Sequence, residues 1–153
     1  MIESYTDLIV WQKSMDLVVK VYEIVKLLPA EERYALSGQM RRAAVSVPSN
    51  IAEGFMRNSA KDYSRFLAIS VGSCAELLTQ IDICVRLNFC SQDNVKDTKS
   101  LITEISKMLV TLCSVPHSSD NLYLSGRFFY DYMISFLLFL YSSNGYTPVV
   151  KYW

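Results

Sequence analysis

Little in this chain interrupts a helix. Five glycines and four prolines are spread over 153 residues, too few for a fold built from many short strands and turns. There is one histidine, His117, and the four cysteines (Cys74, Cys84, Cys90, Cys113) form no C-x-x-C pair. A zinc site needs four closely spaced N, S or O ligands, so no metal and no cofactor is expected. The thiols read as reduced and mostly buried, as in a cytosolic protein. Net charge is also missing. Fifteen basic residues cancel fifteen acidic ones, which removes any bulk-charge argument for a nucleic-acid partner. Met1-Ile2-Glu3-Ser4-Tyr5 is acidic and polar rather than a signal-peptide start, so a cytoplasmic location is expected. Arg42, Asn50, Glu53 and Glu76 could be drawn together as a catalytic site. No nucleophile–base pair, metal set or glycine-rich phosphate loop accompanies them, and a non-enzyme with no small-molecule substrate is expected.

What is present is apolar surface in helical register. The chain is 51% hydrophobic and 20% charged, enough for one domain with a substantial core. Its charges are unevenly placed. Residues 1–32 hold three basic and six acidic groups, a net of −3. Residues 33–65 hold Arg33, Arg41, Arg42, Arg57, Lys61 and Arg65 against Glu53 and Asp62, a net of +4.

Four helices are predicted. The first starts at a Thr6 or Asp7 N-cap and repeats Leu8, Trp11, Met15, Val18, Tyr22, Val25 and Leu28 as its seam, with Val10, Leu17, Val19, Val21 and Ile24 widening it. Pro29 ends it. The second is entered through Arg33-Tyr34-Ala35 and runs to about Gly54. The third spans about 60–88, capped by Ser59, with Tyr63, Leu67, Ser70, Cys74, Leu77, Ile81, Cys84 and Asn88 in four-three alternation. Gly72 in its middle predicts close approach of another helix, and Arg65, Glu76 and Gln80 are the polar groups expected to touch the second helix. The fourth covers about 93–113 on Val95, Ile102, Ile105, Leu109 and Leu112. Short turns between amphipathic helices give an all-α, up-down-up-down antiparallel bundle over residues 1–117.

The second helix carries three stripes. Leu36, Met40, Ala43, Val47, Ile51 and Gly54 or Phe55 form a core face. Gln39, Arg42, Ser46, Asn50 and Glu53 form a polar face. Arg41, Val45, Pro48 and Ala52 form a third line of small residues with one cation. Two partly apolar faces suggest two neighbours, one inside the bundle and one elsewhere, such as another copy of the chain. The apolar register continues through Pro48, so a kinked helix is predicted rather than one that stops at Val47 and restarts. Ser46, Ser49 or Asn50 would serve the freed backbone groups.

Residues 118–153 form a C-terminal extension of a different kind, dense in aromatics from Tyr123 to Tyr141. Its charge-free run, Tyr132 to Tyr141, is ten residues long, half of the roughly 20 a bilayer span needs. An added helix packing on the bundle or at an interface is the expectation, ahead of a membrane helix.

The order Leu8-x-x-Trp11-Gln12, Pro29-x-Glu31-Glu32-Arg33, then Gln39-Met40-Arg41-Arg42-Ala43-Ala44-x-Ser46-x-Pro48-x-Asn50-Ile51-Ala52-Glu53-Gly54, and then Tyr63-x-Arg65-Phe66-Leu67 and Gly72-Ser73-x-Ala75-Glu76-Leu77 resembles the four-helix bundle family of the 23S rRNA intervening-sequence protein. The resemblance covers residues 6 to about 114. It implies a homopentameric ring and a ribosome-associated setting. A relative, the accessory variability protein of diversity-generating retroelements, implies nucleic acid and a protein partner. The aromatic extension departs from the family's pattern.

The expectation is therefore a non-enzymatic oligomer that binds RNA or DNA through Arg33, Arg41, Arg42, Arg57, Lys61 and Arg65. The alternative is a protein-interaction adaptor with no nucleic-acid role. Arg42, Ser46, Pro48, Asn50, Glu53 and Glu76 are candidates for a structural or inter-subunit network, with Arg42 and Glu53 each expected to find partners inside the bundle or across subunits.

Overall fold

The computed structural model describes residues 2–114. The aromatic extension expected over 118–153 lies outside the described residues. Four helices follow one another: α1 (Ile9–Val25), α2 (Leu36–Phe55), α3 (Ala60–Arg86) and α4 (Gln92–Ser114). Short 3-10 turns at Tyr5–Asp7 and Ala30–Arg33 precede α1 and α2. Each helix packs on its neighbours in sequence, and α4 closes back on α1. No strand occurs among the described residues. The architecture is the four-helix bundle that the periodicity predicted.

Local chemistry sets the helix ends. Ser4 caps the first 3-10 turn, with Asp7 accepting the backbone N–H groups of Glu3 and Ser4 at 2.9 and 3.0 Å. Those two bonds hold the Asp7 carboxyl below its ordinary pKa. The α-helix itself begins later than expected, at Ile9, with Leu8 as its cap. The Glu32 carboxylate accepts the Leu36 N–H at 3.1 Å, which puts an acid at the positive end of α2. Ser59 caps α3 by accepting the Asp62 N–H at 3.3 Å. At the far end of α3, Asn88 takes a left-handed φ of 58°. Phe89 N–H then reaches back to the Cys84 carbonyl at 2.9 Å, so the helix stops short of Asn88.

The core follows the predicted seams in three helices. Met40, Ala43, Val47 and Ile51 of α2, Leu67, Cys74, Leu77, Ile81 and Cys84 of α3, and Val95, Ile102, Ile105, Leu109 and Leu112 of α4 are buried. Cys74, Cys84 and Cys90 are buried free thiols, with Cys113 partly covered. Desolvation pushes the Cys84 thiol up to about 11, helped by its neighbour Cys90.

In α1 the expected seam holds at Leu8 and Val25, which are buried, and is corrected between them. Val10, Ser14, Leu17, Val21, Ile24 and Val25 are buried, whereas Met15 and Tyr22 are 43% and 42% exposed. The two stripes lie about one residue, roughly 100°, apart on the helix. The smaller β-branched residues and Leu17 face inward. The aromatic and thioether stripe is left at the edge facing α2, where Arg41 lies over the Tyr22 ring.

Pro48 lies inside an uninterrupted α2 and is buried. The carbonyl that Pro48 frees is that of Ala44, and the expected side chains donate to its neighbours instead. Ser49 Oγ donates to the Val45 carbonyl at 2.8 Å and Asn50 Nδ2 to the Ser46 carbonyl at 2.7 Å. A third donor comes from α3, where Ser70 Oγ reaches the Val47 carbonyl at 3.1 Å.

Candidate nucleic-acid interface

The polar face of α2 divides into residues that hold α3 and residues that face solvent. Ser73 Oγ spends its proton on the Ile69 carbonyl at 3.0 Å. Ser46 Oγ therefore donates across the gap to Ser73 Oγ, at 2.8 Å. Asn50 Nδ2 completes the group by donating to Ser46 Oγ at 2.9 Å. The chain is so close here that a Cβ on Gly54 would sit 2.8 Å from Phe66 Cβ and 3.1 Å from the Tyr63 ring. Gly54 is thus the close-approach glycine, and α2 continues past it to Phe55. Beside it, burial pushes the Tyr63 hydroxyl up to about 12.

Gly72 is the reverse of what the sequence suggested. A Cβ there would meet nothing within 4 Å, so no helix among the described residues approaches it. The polar groups expected to touch α2 also differ. Serines 70 and 73 make those contacts. Gln80 instead turns along its own helix, donating Nε2 to Glu76 at 2.8 Å. Serines at i, i+3 on the α2-facing edge of α3 were the available signal for this, and sequence reasoning passed over them.

The six candidate cations have different surroundings. Arg57 pairs with Glu53, one helical turn back, and lies 5.2 Å from the Phe66 ring centroid. Of the two residues expected to pair inside the bundle or across subunits, Glu53 pairs locally with Arg57 and Arg42 has no carboxylate partner among the described residues. Arg41 is half-buried over Tyr22 at 5.7 Å, and the exposed Arg33 lies 5.7 Å from the ring of its neighbour Tyr34. Arg42, Lys61 and Arg65 are exposed and have no carboxylate partner among the described residues. Arg41 and Arg42, with Tyr22, Val45, Ser46 and Ser49, line a shallow open depression of about 360 Å³. Lys61 and Arg65 stand near the opposite end of the α2–α3 face, on the first turns of α3.

Of the proposed network residues, Ser46 and Asn50 tie α2 to α3, Pro48 is buried, Glu53 holds Arg57, and Glu76 is exposed and accepts from Gln80. No group of three His, Cys, Asp or Glu side chains that could hold a metal occurs among the described residues.

A family model described as 23S rRNA-intervening sequence protein matches residues 6–111. A solved structure from Bacteroides thetaiotaomicron, described as a protein of unknown function from the S23 ribosomal protein family, has the same fold. It is 23% identical, with a TM-score of 0.65, over 70% of this chain and 100% of that one. No curated protein matches the sequence.

Proposed function

For this chain, which belongs to the 23S rRNA-intervening sequence protein family, we propose a non-enzymatic role as an oligomeric bundle that holds nucleic acid by its phosphates. The supporting observation is the fate of the +4 segment. Within residues 33–65, Arg57 alone is paired with a carboxylate among the described residues. The other five cations keep their charge available, and Arg33, Arg42, Lys61 and Arg65 present it to solvent. Exposed guanidinium and ammonium groups without acidic partners suit phosphate oxygens and confer no base specificity. Arg41, stacked on Tyr22, and Arg57, neutralised by Glu53, contribute less. Repetition of the patch in a homo-oligomer, the pentamer that the family resemblance implies, would make a modest charge per subunit multivalent.

The test is RNA retention against salt. The Arg42→Glu, Lys61→Glu double variant is expected to bind structured RNA far more weakly. Truncation to alanine at both positions should lower the slope of log K against log salt by about 1.5. Unchanged affinity and slope would end the phosphate reading.

A second reading rests on an apolar surface that adjoins Arg41 and Arg42. Met15, Val19 and Tyr22 of α1 and Val45 of α2 are exposed apolar side chains, and a protein partner could cover them. In that case Val19→Glu abolishes partner capture and leaves RNA retention intact.

A further inference from the structure

The depression beside α2 holds two arginines, yet most of its lining is unsuited to an anion. Tyr22 and Val45 give it apolar walls, and each is 42% exposed. Both of its serines have committed their protons. Ser49 Oγ donates to the Val45 carbonyl and Ser46 Oγ to Ser73. Ser46 Oγ also accepts from Asn50, which leaves it one lone pair, while Ser49 Oγ keeps two. Lone pairs repel a phosphate oxygen and accept from an N–H group.

Arg41 is the second unusual element. Among the described residues, three arginines lie over aromatic rings. Arg57 is neutralised by Glu53, and Arg33 lies over the ring of its own neighbour in sequence. Arg41 instead lies over a ring from another helix, 5.7 Å from the Tyr22 centroid, without a carboxylate partner among the described residues. The ring attracts the cation and holds its plane in place. Ring and guanidinium together make a flat platform that borders the depression.

We propose that this depression is a subsite for one unpaired nucleobase of a single strand, stacked on the Tyr22–Arg41 platform, with the adjoining phosphate on the exposed Arg42. The inference rests on the phosphate reading and deepens it by naming the form of nucleic acid held. The faces of a base are flat and suit an aromatic ring or a guanidinium plane. The edge of every base carries an N–H donor, for which the Ser46 and Ser49 oxygens are acceptors. Arg42 has no carboxylate partner among the described residues, so its charge is left for the strand's phosphate. The volume of about 360 Å³ is near the lower end of small-ligand sites, roughly 300–1,000 Å³. Its open shape admits a base that stays joined to its strand. A base inside a duplex is stacked on both faces and paired at its edge, so the subsite selects loops, bulges and ends.

The experiment is fluorescence anisotropy of the full chain with a labelled oligoadenylate and with the same ribose-phosphate strand lacking its bases. The two strands carry equal phosphate charge, so phosphate contacts alone treat them alike. The intact strand is expected to bind about tenfold more tightly. Arg41→Lys keeps the charge and removes the plane. Tyr22→Leu keeps apolar bulk at a half-exposed position and removes the ring. The double variant, with wild-type helicity by circular dichroism, should lose the tenfold preference. It should hold the baseless strand as the wild type does, with the same slope of log K against log salt. Equal, salt-sensitive binding of both strands by the wild type overturns the base subsite and leaves the phosphate reading standing. So does a double variant that still prefers the intact strand. Retention of neither strand at low salt overturns both readings and leaves this surface to a protein partner.

Discussion

Two of the three glycines in α2 and α3, Gly54 and Gly72, mark opposite sides of one packing problem. Gly54 is buried where α2 meets the start of α3, and even a methyl group there would collide with Phe66. Gly72 is on the outside of α3, with nothing among the described residues within 4 Å of a Cβ there. The inner side of α3 is specified by shape, hydroxyl donors and apolar burial together. The outer side is exposed and carries mostly small and apolar residues, such as Ala68, Ile69, Gly72 and Ala75. A glycine in a helix thus does not by itself signal a close approach: one forms at Gly54, and none forms at Gly72 among the described residues.

The contrast is broken most severely from the inside. Ile81 is fully buried on α3, and Ile81→Ala is expected to lower the unfolding free energy by about 3 kcal/mol in urea denaturation. The paired glycine substitutions sharpen the comparison with the same chemical change at each site. Gly54→Ala should destabilise the bundle by about 2 kcal/mol through overpacking against Phe66 and Tyr63. Gly72→Ala, measured at high dilution, should instead stabilise it by up to about 1 kcal/mol through helix propensity. Equal effects at the two positions would contradict the geometry. The smallest effect is a pH dependence. The Cys84 thiol titrates near 11 in the fold against an ordinary value of 9.0. Below 9 both states hold the proton. Between 9 and 11 the unfolded chain releases it and the folded chain keeps it, so stability falls as pH rises through that window. Thermal unfolding at pH 8 and pH 10.5 should show a smaller loss for Cys84→Ala than for the wild type.

The sequence revealed the bundle more readily than its faces. In α3 a single strict four-three stripe exists, and the predicted seam from Leu67 to Cys84 is buried throughout. In α1 two stripes satisfy the same spacing, since Val10-Leu17-Val21-Ile24 and Trp11-Met15-Val18-Tyr22 are offset by one residue. Periodicity gives the angle between residues and leaves the phase open, and large side chains drew the phase the wrong way. The site was legible to a similar depth. The +4 segment could be counted from the sequence, and Glu53–Arg57 is an ordinary i, i+4 pair. Which cations remained unpaired depended on how α2 and α3 are registered, and that is set by Ser46, Ser73 and Gly54 rather than by charge.

Pro48 gives α2 a particular folding behaviour. A proline within the helix removes a backbone donor at that turn. A further bond in this stretch, from Ser70 Oγ to the Val47 carbonyl, comes from another helix. The segment beyond Pro48 therefore has little reason to be helical before α3 has docked, and nucleation in that segment alone is unfavourable. The amide protons of residues 52–55 should exchange with solvent together with those of the α3 core, at the rate of cooperative opening, rather than by fraying from the end of their own helix. The most recognisable string in the sequence is thus a segment whose local order is borrowed from the bundle it helps to build.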